Sequence, residues 1–102
     1  MLEKNFLQAC EAALLKLFQM TEELDQNSSL DVDYADGILK IINIANKKTF
    51  VINRNSGNQK IWYSSPITGA DYFSYSNESQ KWLNEKNIEL SEKLLNELKN
   101  FF

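Results

Sequence analysis

Glu22, Glu23, Asp25, Asp31, Asp33 and Asp36 crowd into one short stretch of a chain that contains no histidine at all. Carboxylates without imidazole partners are hard oxygen donors. They suit a cation such as Ca²⁺, Mg²⁺, Mn²⁺ or Fe²⁺, or the basic surface of another protein, and oxygen ligands alone do not separate these metals. The setting of the acids matters. Glu22, Glu23 and Asp25 close a predicted helix, where negative charge opposes the helix dipole by about 0.3–1 kcal/mol each. Asp31 and Asp33 occupy the polar positions of the alternating run "LDVDYADG", with Asp36 at the turn that follows. If helix end and strand run side by side, these acids form one ridge, with Glu11 further back on the helix. The bland alternative is a solvated polar face that keeps the protein in solution. The spacing is not that of an EF-hand loop.

A second set of residues lies in "TFVINRNSGNQKIWYSSP". Alternation places Phe50 and Ile52 on one face of a strand, with Thr49, Val51 and Asn53 on the other. In the next strand Ile61 and Tyr63 oppose Lys60, Trp62 and Ser64. The face with Lys60 and Ser64 is the wetter one, so Trp62 points outward among Asn53, Asn55 and Lys60. An exposed aromatic amid polar groups is a common anchor for a protein partner; the plainer reading is a ring lying flat on its neighbours.

Other chemistries are excluded by composition. Without histidine there is no Ser-His-Asp triad, no Cys-His pair and no imidazole metal site. The single cysteine, Cys10, falls on the apolar side of a predicted helix and reads as a small core residue. Eleven basic against fourteen acidic residues give a net charge of −3, which argues against nucleic acid as a partner. No apolar run approaches the roughly 20 residues that cross a bilayer, and "MLEKNFLQACEAALLKLFQM" carries acids where a signal peptide is apolar. The expected partners therefore include no nucleic acid and no membrane, and the expected location is cytoplasmic, or that of a mature organellar protein.

These side chains must be held by a particular set of elements. Phe6, Cys10, Ala13, Leu14, Leu17, Met20 and Leu24 recur at helical spacing and predict a core-facing helix from residue 3 to about 25. Leu15 and Phe18 fall near Glu11 and Glu22 on another face, either covered by a neighbour or exposed. Six short strand-like runs follow: "LDVDYADG", "ILKIINIA", "KTFVIN", "KIWYS", "DYFSY" and "QKWLN", the first pair joined at Asp36-Gly37. Leu90, Leu94, Leu95, Leu98, Phe101 and Phe102 make the stripe of a last helix. Hairpin-length connections imply an antiparallel sheet, and two amphipathic helices imply that one of its faces is covered. The expectation is an α+β two-layer sandwich, a single domain over residues 1–102.

The acidic first helix, "LDVDYADGILKI", "TFVINRNSGNQKIWYSSPITG" and the final amphipathic helix together resemble the frataxin family, in its bacterial CyaY-like form. The resemblance spans nearly the whole chain and is most specific at "VIN" followed by "IWYSSP". It implies an iron-binding accessory protein of iron–sulfur cluster assembly. Such a protein binds Fe²⁺ and Fe³⁺ weakly at an acidic ridge, docks on a cysteine desulfurase with its scaffold protein, and is a monomer without iron. By position the ridge would be Glu22, Glu23, Asp25, Asp31 and Asp33, with Asp36 nearby. The partner surface would be Asn53, Asn55, Lys60, Ile61 and Trp62. The chain departs from the family pattern at Phe18, Gln19, Asn27 and Ser29, where relatives often carry acids, and at Lys60, where they carry a glutamine. A different class of reading is a ferroxidase or iron store, which the lack of histidine disfavours because di-iron sites use fixed Glu and His ligands. A third is an interaction module that needs no metal and only the Trp62 face.

Overall fold

A computed structural model describes residues 1–101 of the chain. The first helix, α1 (Glu3–Leu24), is followed by β1 (Leu30–Ala35), β2 (Ile38–Asn43), β3 (Thr49–Asn55), β4 (Lys60–Ser65), β5 (Gly69–Ser76) and β6 (Lys81–Leu83), and then by α2 (Leu90–Leu98). The six strands form one sheet in the order β1-β2-β3-β4-β5-β6, antiparallel at every step. Both helices lie on one face of it. This is the expected α+β sandwich.

The sheet's inner face is built from every second residue. Leu39, Ile52 and Tyr63 oppose one another across β2, β3 and β4, and Ile61 opposes Phe73 across β4 and β5; all five are fully buried. From α1 the core takes Phe6, Cys10, Leu14, Leu17 and Thr21. Thr21 continues the helical stripe although it is polar, and it is accommodated because its hydroxyl donates to the Leu17 carbonyl at 2.8 Å. Ala13, Met20 and Leu24, read from the pattern as core, are half-buried at the margin. From α2 come Leu90, Leu94 and Leu98, while Leu95 is half-buried. Phe101 is buried and packs edge-on against Phe50, 4.8 Å between ring centres. Its carbonyl accepts a bond from the Asn43 amide at 2.8 Å, so the chain beyond α2 is tied to the sheet. Phe102, placed by the sequence on the same stripe, lies outside the described residues.

The β1–β2 turn shows why its residues are what they are. Asp36 and Gly37 have φ of +52° and +75°, the left-handed pair that a two-residue hairpin demands. A side chain at Gly37 would also meet the Arg54 guanidinium, 2.7 Å from its Nε. At the other end of the sandwich, β4 is fastened to α2 by Glu97. This carboxylate accepts from the Tyr63 hydroxyl at 2.9 Å, from Thr68 Oγ1 at 3.0 Å and from the Ser65 hydroxyl. Lys93 bridges to Asp71 at 3.3 Å and to Glu97 at 3.8 Å.

Candidate functional site

Among the described residues no element covers the sheet's outer face. With Leu39, Ile52, Tyr63 and Phe73 turned inward, the alternate positions must face water. Across β2 to β5 the register therefore lines up Ile38, Asn53, Trp62 and Tyr72 in one row. Three of the four are large apolar or aromatic side chains left open: Ile38 at 39%, Trp62 at 41% and Tyr72 at 45% exposure. The Trp62 and Tyr72 rings stack, 6.0 Å between centres and 9° from parallel. Stacking keeps the pair rigid, so little side-chain freedom would be lost on contact with a partner. Asn53 is half-buried beside Trp62, its amide donating to the Arg54 carbonyl at 3.1 Å. Lys60 and Asn55 oppose each other one pair further along. The Asn55 carboxamide oxygen accepts the Gly57 N–H at 3.1 Å, which shapes the β3–β4 turn.

Ile61 requires a correction. Named with the partner surface by family position, it is fully buried, on the inner face opposite Arg54 and Phe73. Its side chain holds β4 on the core and does not reach a partner. Conversely, Ile38 and Tyr72 join the open row unannounced. The alternation of "DYFSY" could have shown Tyr72 outward once Phe73 was placed inside. That it stacks on Trp62 depends on the strand register.

The acidic residues divide between two layers. Asp31 and Asp33 are exposed on β1 and lie on the outer face, the Trp62 side of the sheet, opposite Ile42 and Lys40. Glu22 and Glu23 are exposed on the last turn of α1, in the helix layer. Asp25 spends both oxygens on the backbone, accepting the Ser29 N–H at 2.7 Å and the Leu30 N–H at 3.0 Å. Asp36 is exposed in the β1–β2 turn. Among the described residues no three carboxylate or thiol groups converge as a set that could hold a metal ion. What the arrangement offers is a negative margin along the β1 edge.

Beside that margin, Phe18 is half-buried against the Tyr34 ring, 6.4 Å between centres, and Leu15 is 41% exposed. Cys10 offers no nucleophile: burial pushes its thiol up to about 12, against a small opposing pull from Arg54. No helix among the described residues is long and apolar enough to cross a membrane.

The frataxin-like domain family matches residues 1–102. Mitochondrial frataxin of Dictyostelium discoideum is 33% identical over 78 residues, which cover 76% of this chain and 40% of that protein. Mitochondrial frataxin of Arabidopsis thaliana is 26% identical over 98 residues, covering 93% of this chain and 52% of the relative. The chain thus spans about half the length of these curated relatives, or less. Among solved structures, trimeric frataxin of the yeast Saccharomyces cerevisiae complexed with ferrous iron superposes with a TM-score of 0.75 at 27% identity, covering 89% of this chain and 82% of the yeast chain. Frataxin of Psychromonas ingrahamii superposes with a TM-score of 0.65 at 22% identity, covering 87% of this chain and 80% of that one, and shares the fold.

Proposed function

Because the chain belongs to the frataxin family, we propose that it is a non-catalytic accessory protein of iron–sulfur cluster assembly, of the bacterial CyaY-like form and cytoplasmic. It docks on a cysteine desulfurase and its scaffold protein and holds Fe²⁺ or Fe³⁺ weakly at the exposed Glu22, Glu23, Asp31, Asp33 and Asp36, with Asp25 engaged on the Ser29 and Leu30 N–H groups beside them. The observation that carries this reading is the open outer face, where stacked Trp62 and Tyr72 stand in register with Asn53 and Ile38 and no element among the described residues covers them. Such a row is large, rigid and amphipathic, the makeup of a contact anchor. The acidic margin adds attraction for a basic partner, a force that acts over about 8–10 Å at ordinary ionic strength and weakens with salt. Asn53, Asn55 and Lys60 complete the partner surface around Trp62.

The iron part of the reading draws on the yeast relative, whose crystals hold ferrous iron. Carboxylates spread over two layers fit a weak, exchangeable ion better than a fixed centre. The same spread favours a second reading, a docking module that needs no metal. Anaerobic cluster formation by a bacterial desulfurase and scaffold tests both. The initial rate should change when the protein is added and should return to its basal value with Trp62→Ala or with Glu22→Lys/Glu23→Lys. A rate effect from protein that binds no Fe²⁺ in a separate anaerobic calorimetric titration selects the metal-independent module. Wild-type protein without any effect on the rate would sink the accessory role.

A further inference from the structure

The sheet has two edges, and they are unlike. At β6 the edge is three residues long and is closed by the following segment, where Leu83 pairs with Glu89. At β1 it is six residues long, carries no lysine, proline or bulge, and is guarded only by the negative charges of Asp31 and Asp33, which repel a like edge and leave it open to a basic one.

The hydrogen-bond parity of β1 follows from its neighbours. Ile44 N–H bonds to the Ser29 carbonyl at 3.0 Å, so Ser29 and Ile44 form a bonded pair. By the antiparallel alternation Asp31 with Ile42, Asp33 with Lys40 and Ala35 with Ile38 do the same. The N–H and C=O groups of Leu30, Val32 and Tyr34 therefore point away from β2, along the edge. Leu30 N–H is satisfied by Asp25. Those of Val32 and Tyr34 have no partner among the described residues.

Walls of defined chemistry flank this edge. On the outer side stand Asp31 and Asp33. On the helix side, Glu11, Leu15, Phe18 and Glu22 share one face of α1 by their spacing, and Phe18 lies against Tyr34. A strand laid along β1 would set alternate side chains against carboxylates and against the Leu15–Phe18 surface. A second copy of this chain is the wrong occupant, since antiparallel self-pairing would face Asp31 and Asp33 with their own counterparts.

We propose that the β1 edge, between Asp31 and Asp33 on one side and Leu15 and Phe18 on the other, docks an extended partner segment alternating basic and apolar residues, which pairs with Val32 and Tyr34 as a seventh strand. This deepens the partner-binding reading above, on which it rests, and gives the acidic margin a backbone-directed mode of recognition.

The probe is a fluorescent ten-residue peptide alternating lysine and valine, beside a copy N-methylated at alternate residues. Fluorescence anisotropy at low salt should show binding that weakens at least tenfold with the N-methylated peptide. Val32→Pro removes an outward N–H and no bond to β2, so it should keep the fold and lose tenfold or more in binding. Should that variant not fold, amide exchange of the wild type decides: Val32 and Tyr34 should slow at least tenfold with peptide, while Asp31 and Asp33, already bonded, should not change. Unslowed Val32 and Tyr34 amides, or a folded Val32→Pro that binds like wild type, would overturn strand addition, and an undiminished effect on cluster formation would leave the accessory role standing. Slowed amides together with no effect on cluster formation would do the reverse.

Discussion

The Tyr63 hydroxyl on β4 donates to the Glu97 carboxylate on α2 at 2.9 Å, joining sheet and helix at a buried ring. Burial and the adjoining Glu97 charge hold the Tyr63 phenol well above the usual tyrosine range. Glu97→Ala strands the Tyr63 and Ser65 hydroxyls, takes a partner from the exposed Thr68 and removes one of the two carboxylates on Lys93. The expected cost is about 2–3 kcal/mol, or roughly 10 °C or more of melting temperature for a domain of this size. Glu97→Gln should recover part of it, because its carbonyl still accepts. Thermal melts of the two variants check this; equal melts for wild type and Glu97→Ala would contradict it.

Trp62→Ala should behave oppositely. The ring is 41% exposed and stacks on Tyr72, so the expected stability loss is about 1–2 kcal/mol, the aromatic pair together with the apolar area it covers. Its effect on cluster formation should nevertheless vanish. A large drop in melting temperature would mark Trp62 as a structural residue.

Gly37→Ala combines a left-handed backbone position with a contact on Arg54. The backbone alone accounts for about 1–2 kcal/mol, and the guanidinium must also move. Adding Arg54→Ala should remove the second part only. The double variant should therefore lose less than the sum of the two single losses, read from denaturant midpoints.

Asp71 and Glu89 predict the acid limb of stability. Burial opposes the charge of Asp71, but the Asn84 amide, the Tyr72 N–H and Lys93 outweigh it and hold its carboxyl below the ordinary value. Glu89 is likewise lowered: burial is outweighed by the Ser91 hydroxyl and the Ser91 and Glu92 N–H groups that it caps. A depressed folded value means stability that is complete above the unfolded value, near 4, and is lost as pH falls through the folded one. Asp71→Asn should flatten the fall in denaturant midpoint below about pH 4.

Cys10 supplies the alkaline counterpart. With its thiol raised to about 12, the folded protein should not react with Ellman's reagent at pH 8 and should react fully in guanidinium. The sign is reversed from that of the carboxylates. A raised folded value gives stability present below the unfolded value near 8.5 and lost as pH climbs toward the folded one. Rapid labelling of the native protein would show that the α1 packing opens readily.

Period was the legible part of this molecule. Three- and four-residue steps in "FLQACEAALLKL" gave α1, alternation gave β1, β3 and β4, the Asp36-Gly37 turn gave β2, and Trp62 stands outside as alternation requires. Register was not legible, because it depends on turn geometry. The Ile38–Asn53–Trp62–Tyr72 row follows from it, whereas the division of the acids follows from α1 packing on the face opposite Asp31 and Asp33. Asp25 illustrates a further limit: its charge suggested a ridge, while its reach to Ser29 and Leu30 is a local backbone matter. Glu97 was hidden for another reason, since its partners on β4 and in the β4–β5 turn lie some thirty residues away along the chain.

Every neighbouring pair of strands is also consecutive in the chain, which bears on how the protein is made. Each hairpin closes a short loop at small entropic cost, so the sheet can grow turn by turn as it leaves the ribosome. Its inner face has no such shortcut. Leu39, Ile52, Tyr63 and Phe73 stay half-roofed by α1 until α2 arrives. The Asn43–Phe101 bond, between residues 58 positions apart, then acts as the latch that ends this exposed interval. Loss of that latch should be felt as aggregation during synthesis before it is felt in the finished protein.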